Sequence, residues 1–437
     1  MTKQKENHLS SLLSRRNFSR ILGGGVAISA VAPVFANAEN TGNADSIVNS
    51  KINTALPAKA EEKIFCYVGC YTKECPKGVE GNGAGIYLFE MNPITGSLSL
   101  KTVFMGIASP SFLILSPKND YLFAISEIDN YGVGKTGCVT SYSVDQKTGL
   151  LTKINTVSSG GAVPCHLSMH PSGKYLLIAN YVGGCVSVVP VNNGFLSKPT
   201  HVVHPTGPRR PERAMDNPPG NYAISDHSGS HPHMISTSPS GKWVVVDDAG
   251  LDRIYFWRLD EKRGKLLPAP VPFLDLEPGA APRHFVFNNE GTMLYNLCEQ
   301  DSKVTVFQFD DKEGRAVAIQ TVSTLSSEFH GSTLAAEIVM APSGGFIYVS
   351  NRLGNSIAVF SVGADGTLTL QDEIWSHADY GRAMMLDPTA TFLFSANQRS
   401  DSITSFRTNQ KSGDIVFTHN FTPVGSPTVL AFMKGKS

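Results

Sequence analysis

Neither sign of charge prevails in this chain. Of its 437 residues, 37 are Lys or Arg and 37 are Asp or Glu, so the formal net charge is zero. Charged side chains make up only 17% of the sequence. That balance gives no support to nucleic-acid or anionic-membrane binding. Long apolar runs are also missing. The most apolar stretch, 21–35, is too short and too rich in Gly and Ala to span a bilayer. GxSxG, HExxH and complete Walker motifs are absent, and no GxGxxG stands in a strand-to-helix context, which removes the usual sequence signs of a serine esterase, a zincin or a nucleotide binder. Gly81-Asn82-Gly83 lies in a turn before a strand and is not a phosphate cradle. Cysteine is sparse and odd in number: Cys66, Cys70, Cys75, Cys138, Cys165, Cys185 and Cys298. An odd count leaves at least one thiol unpaired. Cys70 and Cys75 flank a short loop and could pair in an oxidising compartment; buried free thiols are an equal alternative. Cys66-x3-Cys70-x4-Cys75 lacks zinc spacing, and no His follows at a suitable distance, so no metal or other cofactor is expected.

What the chain does have is a repeat. Its unit is a Pro/Gly turn, a run of β-formers ending in Asn or a small residue, a small turn, and an alternating strand closed by Asp and Gly. HPSGKYLLIAN (170–180) with CVSVVPVNNGFL (185–196) is one copy; APSGGFIYVSN (341–351) with SIAVFSVGADGTL (356–368) is another. The turns begin at 116, 170, 238, 288, 341 and 387, spaced by 54, 68, 50, 53 and 46 residues. A strand-only repeat of this length predicts a β-propeller with one four-stranded blade per repeat. A seventh second half, GIYLFEMNPITGSL (85–98), gives seven blades. The last apolar strand, SPTVLAFM (426–433), has no repeat of its own and is expected to pair with the N-terminal strands, closing the ring and removing a sheet edge.

Residues 1–38 stand apart. Ser14-Arg15-Arg16-Asn17-Phe18 is a twin-arginine signature, and Ala36-Asn37-Ala38 follows the weakly apolar stretch as a cleavage site. They read as an export signal to the periplasm. Residues 39–62 read as a flexible linker, and 63–437 as the propeller, which is expected to be monomeric and free of the membrane once the signal is gone.

Propellers converge their inner strands on a central channel, so polar residues just ahead of each Pro/Gly turn are the informative ones. They are His166 in Pro-Cys-His, His231 and His233 in His-Pro-His, Arg283 in Pro-Arg-His, Glu337, and Arg382. Glu299 and Arg352 close the second strands of two blades and can reach the same region. Charge-capable side chains at equivalent inner positions are poor core material, since unpaired buried charge is costly. Together they suit an anionic ligand.

At these residues the chain resembles the 6-phosphogluconolactonase family of seven-bladed propellers, which also takes in fungal carboxymuconate lactonizing enzymes. The resemblance runs from about Phe65 to Met433. It is carried by YVGCYT with GIYLFEMNPITGSL, by PCHLSMHPSGKYLLIANYVGGCVSVVPV, and by the blades beginning HPHMIS, APRHFV and AAEIVM, in that order. It implies hydrolysis of a small sugar lactone, or related intramolecular lactone chemistry, without a metal. It also implies that His166, His233, Arg283 and Glu299 are catalytic, leaving His231, Glu337, Arg352 and Arg382 to bind substrate. In that reading His166 or His233 serves as general base, Arg283 stabilises the oxyanion or clamps an anionic group, and Glu299 orients the His or the Arg. The chain departs from the family at three places. SDHSGSHPH replaces a Gln-Glu pair ahead of His-x-His, Ala281 stands where Gly precedes Pro-Arg-His, and Cys298-Glu299-Gln300 replaces Asn-Glu-Leu. Residues 201–230, rich in Pro, His and Arg, read as an inserted loop. Two other readings remain open: a non-catalytic propeller binding a sugar or protein partner, and a cycloisomerase acting on a muconate-like diacid.

Overall fold

The computed structural model describes residues 63–436; the export signature and the whole of the linker lie outside them. Among the described residues the regular structure is entirely strand, in seven antiparallel sheets. Blade 1 is built from Ile64–Cys70, Ile86–Met91 and Leu98–Phe104, with Pro427–Lys434 as its innermost strand. Phe65 pairs with Met433 and Val68 with Leu430, so the two ends of the propeller share one sheet, as expected from the unpartnered last strand. Blades 2 to 7 begin with the inner strands Leu113–Leu115, Pro164–Met169, Pro232–Thr237, Pro282–Phe287, Leu334–Met340 and Gly381–Leu386. Each inner strand packs on the next around the ring.

The repeat explains the blade locally. The turn between the first and second strands needs a left-handed residue, supplied by Asn119, Gly173, Gly241, Gly291, Gly344 and Ala390, with φ of 57, 71, 74, 70, 72 and 52°. The turn between the third and fourth strands carries its own glycine at positive φ in every blade: Gly96, Gly149, Gly194, Gly264, Gly314, Gly366 and Gly413. At this position the reason is packing as well as backbone freedom. A Cβ on Gly314 would come within 2.5 Å of the Trp243 ring of the preceding blade, and one on Gly413 within 2.2 Å of Phe346. Polar tips lock the same seams. Tyr67 Oη donates to the Gly149 carbonyl (2.7 Å), Tyr295 to Gly366 (3.0 Å), Tyr348 to Gly413 (3.0 Å), and Trp243 Nε1 to Asp311 (2.7 Å).

Between neighbouring blades the alternating apolar faces meet in seven buried clusters, one per interface. Burying one Phe or Leu in such a seam stabilises by about 2–3 kcal/mol. No blade can bury both faces alone, so the ring is the smallest unit with a complete core.

Blade 3 differs from the others. Its third strand, Cys185–Asn192, pairs with the short segments Phe195–Leu196 and His201–Val203 rather than with one continuous outer strand. The inserted loop therefore starts at 204 rather than 201, and runs to the inner strand of blade 4. The cysteines also settle differently from the paired alternative: all seven are free thiols. Cys70 is buried with Sγ 3.0 Å from the Gly85 carbonyl, and Cys75 Sγ turns to the Val79 carbonyl at 2.8 Å.

Candidate active site

Five successive inner strands break register at the same place. The break falls between Pro164 and His166, Pro232 and Met234, Pro282 and His284, Ala335 and Ile338, and Gly381 and Ala383. The extra residues of these bulges are Cys165, His233, Arg283, Ala336 with Glu337, and Arg382. A bulge re-aims the side chain it adds. Residues leading into these strands are bent backward too: Val163, Ala281 and Tyr380 hold φ of 53, 58 and 67° without being glycine. Such conformations cost of order 1–3 kcal/mol each and persist where surrounding structure fixes them. At Ala281 the fixing group is Asp252. Its carboxylate accepts from Gly279 N (2.7 Å) and Ala281 N (2.8 Å), and its Oδ1 also meets His227 Nε2 at 3.1 Å.

A second tier comes from the residue just after each blade's second strand, or closing it in blade 6. Going round the ring these are Tyr71, Glu127, Tyr181, Ala249, Glu299, Arg352 and Gln398. The two tiers meet. Arg283 Nε donates to Glu299 Oε2 at 3.1 Å, and Arg352 Nη2 lies 2.6 Å from the same oxygen. Ser225 Oγ, from the inserted loop, donates to Glu299 Oε1 at 3.1 Å. Arg283 Nη1 donates to the Ala336 carbonyl. Arg352 is held further by the Leu334 and Ala335 carbonyls and by the face of Tyr380, 5.2 Å away. Burial would raise the Glu299 carboxyl, but Arg352 and Arg283 outweigh it and hold it at about 2. Burial, with Arg352 and Arg382 nearby, lowers the Arg283 guanidinium to about 10, so it remains a cation at neutral pH.

The histidines pack beside this pair. The His233 and His284 rings are 5.1 Å apart, those of His166 and His284 5.6 Å, and Phe112 covers His166 at 4.3 Å. His284 Nδ1 lies 2.8 Å from Glu337 Oε1. Burial drives all three imidazoles toward the neutral form; for His284 the guanidiniums of Arg283, Arg382 and Arg352 act in the same direction. Burial also pushes the Glu337 carboxyl up to about 7, against the pull of Arg283 and His166.

Arg382 completes the cluster from the far side. It approaches Glu127 Oε2 only to 4.0 Å and stacks over Tyr71 at 5.2 Å, while Tyr71 Oη donates to Glu127 Oε1 at 2.8 Å. Its guanidinium makes no closer hydrogen bond among the described residues, unlike those of Arg283 and Arg352.

The structure therefore brings together His166, His233, Arg283, Glu299, Glu337, Arg352 and Arg382. His231 sits one layer out: it stacks on Tyr181 at 4.6 Å, and its Nε2 is engaged by Ser228 and Asp226. Glu299 contacts arginines rather than a histidine, which narrows the orienting role expected for it. The sequence pattern pointed to none of Tyr71, Glu127, Tyr181, Ser225 and Tyr380, and it placed His284 at the channel level without a role. A weaker signal existed for three of these. Tyr71, Glu127 and Tyr181 occupy the position in their repeats that Glu299 occupies in its own. Ser225 carried none, because it lies in the inserted loop. Among the described residues no group of three or more His, Cys, Asp or Glu is placed to hold a metal ion.

Comparison with known proteins agrees with this fold. Residues 65–432 match the family model described as lactonase, 7-bladed beta-propeller. A 6-phosphogluconolactonase of Bacillus subtilis is 28% identical over 373 residues, spanning 85% of this chain and 99% of its own. One from Formosa agariphila is 28% identical, spanning 80% and 94%. Among solved structures, the periplasmic gluconolactonase of Pseudomonas aeruginosa superposes with a TM-score of 0.74 at 27% identity, covering 86% of this chain and 100% of that one.

Proposed function

The chain belongs to the lactonase family of seven-bladed β-propellers, and from that premise we propose that it hydrolyses a sugar lactone in the mouth of its central channel. The observation that carries this reading is the convergence of three arginines and three histidines, which burial holds uncharged, from consecutive blades. Lactone opening needs a base for water and a cation for the developing oxyanion. Arg283 and Arg352 share one carboxylate, Glu299, and so stand fixed before substrate arrives. A preorganised cation stabilises the oxyanion without reorganising at the moment of attack. Arg382, free of close hydrogen bonds, is suited to grip the substrate's hydroxyls or an anionic group. One histidine of the cluster takes a proton from water, and the hydroxide oxygen adds to the lactone carbon. The ring C–O bond then breaks, and the same proton passes to the leaving alkoxide, giving a hydroxy acid. The 6-phosphogluconolactonase relatives and the periplasmic gluconolactonase both support a sugar-derived substrate.

We read residues 1–38 as the export signal of a periplasmic enzyme. The periplasmic neighbour supports that reading, and no helix of the described residues is long and apolar enough to cross a membrane. We also take the closed ring to act as a monomer.

The test is acid release from a panel of sugar lactones, phosphorylated and not, followed with a pH indicator. Turnover above the spontaneous rate is expected, and Arg283→Ala should lower kcat/KM about 100- to 1000-fold while the protein stays folded. A folded, fully active Arg283→Ala protein would remove Arg283 from the mechanism. No turnover on any lactone would favour the binding-module reading.

A further inference from the structure

We propose that His284, oriented by Glu337, is the residue that takes the proton from the attacking water. The assignment rests on the lactonase reading above and chooses among its three histidines. It differs from the expectation that His166 or His233 fills this role.

The choice follows from which ring nitrogen each histidine can offer. A general base needs an unprotonated nitrogen open to the channel, and a partner that fixes the ring and stabilises the imidazolium formed. His166 Nδ1 lies 3.4 Å from the backbone N–H of Ile235 and can only accept there. Its proton therefore sits on Nε2, which makes that atom a donor. His233 has its Nδ1 sealed in the interior with no hydrogen-bond partner, and no carboxylate pairs with its ring among the described residues. His284 differs from both. Its Nδ1 is engaged by Glu337 Oε1 at 2.8 Å, while its Nε2 makes no hydrogen bond among the described residues. Glu337 is held in turn, its backbone N–H donating to Ser350 Oγ at 3.0 Å. Carboxylate, imidazole and unbonded nitrogen thus form one chain of contacts, with Arg283 adjacent in the sequence to receive the oxyanion.

The dyad has a built-in dependence on proton position. When Glu337 is ionised it accepts the Nδ1 proton, and Nε2 carries the free lone pair. When Glu337 is protonated it donates to Nδ1, and the ring proton moves to Nε2, where it blocks attack. The groups facing the pair are Arg283, Arg352, Arg382, Glu299, His166 and His233. The guanidiniums keep the ring neutral, and burial brings the Glu337 transition to about 7. Base-competent enzyme therefore accumulates as pH rises through that value.

The test combines kinetics with NMR on the purified protein. In wild type, kcat/KM should rise tenfold per pH unit below about 7 and level off above it. His284→Asn should lower kcat about 1000-fold. Glu337→Gln should lower it at least 100-fold and abolish the limb near pH 7, and Glu337→Asp should restore part of both. His166→Asn should lower kcat but leave the limb in place. Ring 15N spectra of wild type, assigned by the signals lost in His284→Asn, should show the proton on Nε2 at pH 5.5 and on Nδ1 at pH 8.5. A limb that survives Glu337→Gln, a near-wild-type kcat in His284→Asn, or an unchanged His284 tautomer would each overturn the proposal. Should wild type open no lactone at all, the lactonase reading falls and the water-activating role with it. The NMR titration separates that outcome from a failure of the dyad alone, because it needs no substrate.

Discussion

The outer seams and the central channel of this propeller are built from the same repeat by opposite rules. At the seams the repeat is obeyed seven times, with a positive-φ glycine in each blade's outer turn and a large side chain of the preceding blade packed against most of them. At the channel the backbone device recurs in five blades, but the residue it presents changes each time: Cys165, His233, Arg283, Glu337 and Arg382. Uniformity at the seams gives packing, which any blade supplies equally. Variety at the channel supplies the different groups that the proposed lactone chemistry needs: a base, a cation and an acid. The difference teaches where to look in a repeat protein. Positions that repeat hold the fold, and positions equivalent in backbone but divergent in side chain carry the site.

That division can be broken first at Glu299, the channel residue most deeply tied to its neighbours. Glu299→Gln leaves two buried guanidiniums without their shared charge. A stability loss of about 3–5 kcal/mol in denaturant melts is expected, with kcat/KM lowered at least 100-fold. The wild-type advantage should also depend on pH. The folded carboxyl titrates at about 2, below its ordinary value of 4.5, so its contribution is full above that ordinary value and is lost as pH falls toward 2. Melts of both proteins from pH 6 down to 2.5 should therefore converge. A pH-independent gap would place the stabilisation in packing instead.

Next comes a seam residue that sharpens the contrast. Gly314→Ala combines a strained φ of 66° with a Cβ pressed into the Trp243 ring. It should cost about 2–4 kcal/mol, yet leave kcat/KM within about twofold below the melting transition. An equal loss of activity in the folded protein would show that the seams tune the channel.

Arg382→Gln should do the reverse. Its guanidinium makes no hydrogen bond among the described residues, only a 4.0 Å approach to Glu127 and a stack on Tyr71, so the stability loss should be smaller than for Glu299→Gln, while KM for the lactone rises about tenfold with kcat less affected. An unchanged KM would take Arg382 out of substrate binding.

The smallest effect is expected at Ala281→Gly, which restores the residue that the family places before Pro-Arg-His. Relief of the left-handed Ala, offset by a freer unfolded chain, should raise stability by about 1 kcal/mol or less. Activity should stay unchanged, because Asp252 already fixes the turn. Lost activity would mean that the strain at Ala281 helps to aim Arg283.

Much of this was legible in the chain. The period of the turns, the alternation of the strands and the unpartnered final strand announced seven blades closed by their own ends, because each is a local pattern with one geometric solution. Seven of the eight proposed site residues do converge, since equivalent positions in a repeat must face the same channel. The roles were harder. His231 and His233 read as equals in His-Pro-His, but a bulge turns His233 inward while Tyr181 and Asp226 engage His231. His284 was overshadowed by its neighbour Arg283, because nothing local says that Glu337, 53 residues away, will meet its ring. Ser225 was invisible, because a loop outside the repeat has no equivalent position to compare.

The sequence by itself thus determined the architecture and the list of residues that share the channel, since periodic burial and turn chemistry act over a few residues at a time. Tertiary structure alone decided which carboxylate meets which base or guanidinium, which ring nitrogen is left open and how far burial moves each proton. Those outcomes depend on distances between blades, which no local pattern encodes.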